Sequence, residues 1–382
     1  MNTSWWRKRN QMDDLQKAFI ALPTEGRYLL SGPPGCGKTN LLLLRAEVMI
    51  GAGEEDVLFI TYTNALADFI RSGSVERKML DAEQIKTFHS WAMEHIRTHL
   101  GNGAYPRDAK FERAQVMDLL HQANQQRPSE KLYSAIFIDE AQDLTVGELQ
   151  ALIELSDNIC ICGDNRQGIY QQDGMSIVKH VDLDVHALEK HFRMGQEIAI
   201  VADKLMPPLK GHPTLESTCN YNPIEQGESS AKEWVCVGRD AQFEKMLELI
   251  EVQLDAFAGD TIGIFCGHKE TLSELRERFD ETGLGKKVFV HKIDPGANFH
   301  SDCLMHVLTL HSSKGTEFRC VHIFGAEELS ERGLRRTTLS YTGVTRAKTA
   351  LNVYRTGATS RKLQNAFAKK RPFGLEDIFP DD

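Results

Sequence analysis

One octapeptide constrains the fold of this chain more than any other stretch. Gly32-Pro33-Pro34-Gly35-Cys36-Gly37-Lys38-Thr39 fits the pattern GxxxxGK[ST]. Residues 28–31 ahead of it read as a strand and 40–50 behind it as a helix, the context the pattern requires. Its glycines let backbone N–H groups turn towards an anion, and the helix N-terminus adds a favourable dipole. Lys38 is placed to reach the β- and γ-phosphates of a nucleotide, and Thr39 to hold Mg²⁺. The bland alternative is a Gly/Pro turn ahead of a helix. By composition alone, such a match arises by chance in a chain like this about once in a hundred.

Short apolar runs at 28–31, 57–61, 135–138, 158–162, 262–266, 305–310, 321–324 and 351–354 alternate with helix-like stretches. That alternation predicts an α/β fold with mostly parallel sheets, in which ligands bind beyond the carboxyl ends of the strands. At one such end, Ala135-Ile136-Phe137-Ile138 runs into Asp139 and Glu140. A carboxylate there can bind Mg²⁺, directly or through water, and its neighbour can orient and deprotonate an attacking water. An isolated Asp-Glu pair would more simply be a solvated strand end.

The length of 382 residues suggests two domains, with a boundary expected at 182/183. A net charge of −9 speaks weakly against a nucleic-acid partner, although a basic groove can sit on an acidic protein. No apolar run approaches the ~18 residues that span a membrane. Arg7, Lys8 and Arg9 are followed by no apolar stretch, so a signal peptide is not expected. The eight cysteines form no CxxC pair, which points to reduced, mostly buried thiols in a cytoplasmic protein, and no zinc-like ligand spacing is present.

Asp139-Glu140-Ala141-Gln142-Asp143 resembles the DEAQD box of superfamily 1 helicases of the UvrD/Rep type, and further boxes follow in order. Gln16 resembles the adenine-reading glutamine upstream of the phosphate loop. Thr61-Tyr62-Thr63-Asn64-Ala65 resembles TFTNxA, and Thr87-Phe88-His89-Ser90 resembles TFHS. Gly163-Asp164 with Gln167-Gly168-Ile169-Tyr170 resembles GDxxQxIY, and Leu188-Glu189-Lys190-His191-Phe192-Arg193 resembles LxxNYR. Residues 309–318, with His311, Lys314, Gly315 and Glu317, resemble TxHxxKGxEF; Tyr341-Thr342-Gly343-Val344-Thr345-Arg346-Ala347 resembles YVAxTRA. The match runs from Gln16 to about residue 354.

The resemblance implies two RecA-like lobes with parallel sheets and ATP held between them. The first lobe would span 1–182 with a small insert near 92–133, the second 183–382. It implies ATP and Mg²⁺ as cofactors and 3′→5′ polarity along single strands. Gln167 would sense the γ-phosphate, and Arg193 and Arg346 would reach it as arginine fingers, since a planar cationic fork stabilises charge building on the phosphoryl oxygens. Phe192 would stack on adenine and Glu317 would bond the ribose. Tyr62, Asn64, His89, Tyr170 and His311 map to the strand-binding face, where aromatic rings stack on bases. For each, ordinary packing or a surface ion pair is the competing reading.

Several positions depart from the resemblance. Where the family continues IYxWRGA, this chain has Gln172 and Asp173, which removes a stacking platform and a cation. Only 22 residues separate Lys286 from Thr309, room for a strand and a loop rather than the family's large second-lobe accessory domain. The leading expectation is a minimal ATPase translocating on single-stranded DNA, with RNA left open and weak unwinding alone. The alternative is a nucleic-acid-gated switch that licenses a protein partner such as a nuclease in defence or repair. A small-molecule P-loop kinase would leave Arg346, His311 and the GDxxQ box unexplained.

Overall fold

The computed structural model describes residues 9–64, 66–68, 70–71, 80–105, 112–127, 131–164, 172–295 and 303–368. Twelve strands are present among them: β1 Arg27–Ser31, β2 Val57–Thr61, β3 Ile85–Thr87, β4 Ala135–Ile138, β5 Ile159–Gly163, β6 Asp184–Ala187, β7 Ser230–Val235, β8 Ile262–Cys266, β9 Val288–Val290, β10 Met305–Thr309, β11 Phe318–Ile323 and β12 Ala347–Arg355. They form two six-stranded sheets, ordered β3-β2-β4-β5-β1-β6 and β7-β12-β11-β8-β10-β9. Every strand pairing is parallel. The fold is α/β with two RecA-like lobes.

The central strands β2, β4, β5, β8 and β10 are buried throughout, as parallel strands covered by helices on both faces must be. On one face of the first sheet, Phe59, Phe137 and Cys160 pack with Leu42 and Leu43 of the helix Lys38–Gly51. On the other, Ile60, Ile138 and Ile161 pack with Phe88, Trp91 and Leu120. Each such side chain, fully buried, contributes about 1.5–3 kcal/mol relative to exposure. The helices Phe88–Leu100 and Arg113–Gln126 supply this second layer. They are joined through His95 Nε2 and Asn124 Oδ1 at 2.9 Å and occupy the region of the expected small insert.

The chain crosses between sheets later than the expected 182/183 boundary. β6 starts at Asp184 and pairs with β1, so the first sheet takes in residues up to Ala187. A periodic apolar signal is absent there because β6 is an exposed edge strand. The linker 188–195 then leads to the helix Gln196–Leu205, which packs in the core of the second lobe. Between β9 and β10 the chain holds 14 residues, so the second lobe has no room for an inserted domain at that point. Among the described residues, no helix is long and apolar enough to cross a membrane.

Candidate active site

The phosphate loop leaves the carboxyl end of β1 beside the linker. Gly35 and Gly37 have φ of 80° and 92°, and a Cβ on Gly35 would lie 2.6 Å from the Cβ of Arg193. Only glycine meets both constraints there. Lys38 Nζ donates to the carbonyls of Gly32 at 2.8 Å and Pro33 at 3.0 Å. Gln16 is buried: its Nε2 donates to the Cys36 carbonyl at 2.8 Å, while its Oε1 accepts from Asp13 N at 3.1 Å. Pro34 and Cys36 complete the loop, with the Cys36 thiol buried.

At the end of β4, Asp139 Oδ2 accepts from Thr39 Oγ1 at 2.6 Å. Its other oxygen accepts from Glu140 N and from the Cys162 thiol, both at 2.8 Å. Burial first, and then the neighbouring Glu140 charge, raises the Asp139 pKa. A hydroxyl and a carboxylate set side by side offer the hard oxygen donors that Mg²⁺ prefers, so Thr39 and Asp139 fit the implied cation.

Glu140 sits at φ 56°, one of two non-glycine residues with positive φ among those described. Such a conformation costs about 1–3 kcal/mol and persists only where the surroundings impose it. Gln142 imposes part of it: its Nε2 donates to Glu140 Oε2 and its Oε1 accepts from Asp164 N at 2.9 Å. Burial works to raise the Glu140 pKa, but Lys314, Arg346 and Lys38 outweigh it and hold the carboxyl below its usual range. Glu140 is therefore an ionised carboxylate at neutral pH, the state a base requires.

The second lobe supplies its groups just ahead of β11 and β12. Lys314 is buried and pairs with Asp143, and its Nζ lies 3.5 Å from Glu140 Oε2. Despite that pairing the Asp143 pKa is pushed up to about 6, because burial and the Glu140 charge together exceed the attraction of Lys314. The geometry and the shift agree once the burial is counted: Asp143 is fully buried. Thr63 Oγ1 of the first lobe also donates to the Lys314 carbonyl, at 3.5 Å.

Arg346 is buried, with Nε on the Thr342 carbonyl at 3.1 Å, Nη1 on the Thr316 carbonyl at 3.3 Å and Nη2 on Thr345 Oγ1 at 3.3 Å. Burial, with repulsion from Arg193, brings its pKa down to about 10, so it remains cationic near neutrality. Arg193 Nη2 pairs with Glu317 Oε2 at 2.7 Å, and Phe192, also buried, donates its N–H to the Gly35 carbonyl at 3.1 Å. Glu317 pairs a second time, with Lys348 Nζ at 2.7 Å.

The structure thus brings Gln16, the phosphate loop, Asp139, Glu140, Phe192, Arg193, Glu317 and Arg346 to one junction between the lobes. Gln167 and Tyr170 lie outside the described residues. Tyr62 is half-buried and meets His89 edge-on at 5.9 Å. Asn64 is exposed. His89 and His311 both have pKa values lowered by burial first, then by Arg113 for His89 and by Arg336 and Lys292 for His311. Asp173 is occupied locally: its Oδ1 accepts from Val146 N at 3.0 Å at the start of the helix Val146–Ile153. Sequence reasoning assigned no role to Asp143, Lys314 or Lys348. The first two lie inside quoted boxes, and Lys348 follows the last box, so opposite charges in different boxes were the available signal.

Two α/β lobes with a phosphate loop, a strand-end acid pair and buried cations from the second lobe define an ATP-hydrolysing enzyme of the RecA-like class. Residues 16–173 match the family model described as an AAA domain, and residues 304–354 match the UvrD-like helicase C-terminal domain. Together these matches support a UvrD/Rep-type helicase. Among solved structures, it is similar to the C-terminal domain of a possible DNA helicase from Lactobacillus plantarum WCFS1. That likeness is 15% in sequence with a TM-score of 0.35, over 46% of this chain and 93% of the other. No curated protein sequence matches the chain.

Proposed function

We propose that this protein is a single-strand-stimulated ATPase that translocates 3′→5′ on single-stranded DNA and unwinds duplex poorly by itself. The observation that carries the reading is the junction where Glu140 of the first lobe meets Lys314 and Arg346 of the second. Hydrolysis there depends on how the lobes sit, and that is how a motor couples turnover to movement.

In this reading Lys38 and the loop amides hold the β- and γ-phosphates, Gln16 and Phe192 contact adenine, and Glu317 contacts ribose. Bound Mg²⁺, held by Thr39 and Asp139, supplies charge neutralisation at the phosphates. A water attacks the γ-phosphorus in line with the bond to the β–γ bridging oxygen. Glu140 takes the proton of that water, the bridging P–O bond breaks, and ADP leaves with its electron pair. Gln167, Arg193 and Arg346 stabilise charge on the transferred phosphoryl oxygens. Tyr62, Asn64, His89, Tyr170 and His311 carry the strand.

Weak unwinding rests on Gln172 and Asp173 and on the short β9–β10 connection. The same observation favours a second reading, in which strand-gated turnover licenses a protein partner such as a nuclease. The experiment is ATP turnover with and without single-stranded DNA or RNA, run beside displacement of a 3′-tailed duplex. Strong stimulation with little displacement is expected. Turnover indifferent to either strand sinks the proposal, and efficient displacement by the isolated chain replaces it with a plain helicase.

A further inference from the structure

Lys348 lies outside every sequence box, yet it is joined to the nucleotide-facing groups twice. Its ammonium pairs with Glu317 Oε1 at 2.7 Å, and its carbonyl accepts from Gly195 N at 2.8 Å. Gly195 is two residues beyond Arg193, whose Nη2 takes the other oxygen of the same carboxylate at 2.7 Å. The linker is also fixed partway along, by Phe192 N on the Gly35 carbonyl at 3.1 Å. The result is a closed ring of contacts, from the linker through Arg193, Glu317 and Lys348 and back to the linker, tied to the phosphate loop through Phe192. All three charged side chains are mostly buried, at 17%, 11% and 19% exposure, so solvent screens them little.

We propose that Lys348 is a positioning residue that shares the Glu317 carboxylate with Arg193 and so sets how readily Arg193 is released towards a γ-phosphate. This deepens the reading of Arg193 given above and rests on it.

The physical argument is one of competition. A carboxylate bridging two cations binds each less tightly than it would bind one alone, because the cations repel each other across it. Arg193 cannot hold Glu317 through Nη2 and also direct its fork at a phosphoryl group. Lys348 lowers the cost of leaving. It also keeps Glu317 compensated once Arg193 has gone, since an unpaired buried carboxylate is expensive. Consistent with a doubly paired acid, the Glu317 carboxyl is held down to about 2: burial raises it, and Lys348 and then Arg193 overcome the burial. Lysine suits the task because its single ammonium takes one oxygen and leaves the other to the guanidinium.

The test is steady-state ATP turnover at saturating single-stranded DNA for wild type, Lys348→Met, Lys348→Arg, Glu317→Gln, Glu317→Gln/Lys348→Met and Arg193→Ala. Thermal melts check folding, and Lys348→Gln replaces the methionine variant if that one does not fold. With Lys348 gone, Arg193 faces the whole Glu317 charge. We expect kcat and kcat/KM to fall together by about tenfold with KM little changed, as for an interaction made only in the transition state. Lys348→Arg should recover most of the loss. In the Glu317→Gln background, Lys348→Met should have no further effect, because nothing is left to compete for.

Wild-type kcat in Lys348→Met overturns the proposal. So does a tenfold loss that persists in the Glu317→Gln background, or a rise in KM alone. Arg193→Ala separates the two levels of argument. If it turns over ATP at the wild-type rate, the role of Arg193 itself falls. If it is crippled while Lys348→Met is unaffected, only the role of Lys348 falls.

Discussion

Replacing Lys314 with methionine should destabilise the protein in a way that grows with pH. Lys314 and Asp143 form a buried pair across the lobe junction, and the Asp143 carboxyl, pushed up to about 6 even with its partner present, is already reluctant to ionise. The sign follows from the raised value. Above the ordinary carboxylate pKa the unfolded chain has given up this proton. The wild-type native state keeps it until pH passes about 6, so wild-type stability falls through that window and then levels. Without Lys314 the native pKa rises further and the fall continues to higher pH. Between pH 6 and the variant's own pKa, the gap between the two proteins widens by about 1.4 kcal/mol per pH unit. From pH 6 to pH 8 that amounts to at most about 2.7 kcal/mol, on top of a pH-independent loss of packing. Urea unfolding of both proteins at pH 6, 7 and 8 measures it. A gap that stays flat across this range would show that Asp143 does not depend on Lys314 for its charge, and the account of the junction would fail.

Other expectations bear on the chemistry and the strand. Glu140→Gln should keep Mg·ATP binding within a few-fold by equilibrium titration while hydrolysis drops about 10²–10⁴-fold, because the phosphate contacts survive and the water loses its base; wild-type turnover would remove Glu140 from that role. Gln172→Trp with Asp173→Arg should tighten single-strand binding about five- to a hundredfold, measured by fluorescence anisotropy, and no gain would mean this surface does not touch the strand. The same double substitution should cost about 1 kcal/mol in urea unfolding, since it removes the carboxylate that accepts from Val146 N.

The strands legible in the sequence were β1, β2, β4, β5, β8, β10, β11 and β12, the inner strands of the two sheets. The four without a sequence signal, β3, β6, β7 and β9, are the outermost strand at each edge. The reason is physical. An inner parallel strand is covered on both faces and reads as a continuous apolar run, as in Ile262–Cys266. An edge strand is short or polar, as in Asp184–Ala187, and its residues are shaped by solvent as much as by the sheet. For the same reason the lobe boundary was placed too early.

At the site, the boxes converge in space because the loop after each strand end lies at the same edge of its sheet. What sequence alone did not give was which charge meets which. Lys314 could have faced a phosphate; it pairs with Asp143. Asp173 looked like a misplaced charge at the strand surface, and it accepts from the backbone at a helix start. Pairings of this kind depend on side-chain direction and burial between positions far apart in the chain, 171 residues for Lys314 and Asp143 and 27 for Asp173 and Val146, and no local pattern encodes them.

The central claim is that ATP is hydrolysed in a site completed by the second lobe. Arg346→Lys tests it most directly, because lysine keeps the charge but loses the fork. Turnover at saturating ATP and single-stranded DNA should fall about 10³–10⁵-fold, the range for a lost arginine finger, while nucleotide affinity changes little and a cooperative thermal melt shows the variant folded. Turnover at the wild-type rate in a folded Arg346→Lys protein would contradict the claim and confine the chemistry to the first lobe.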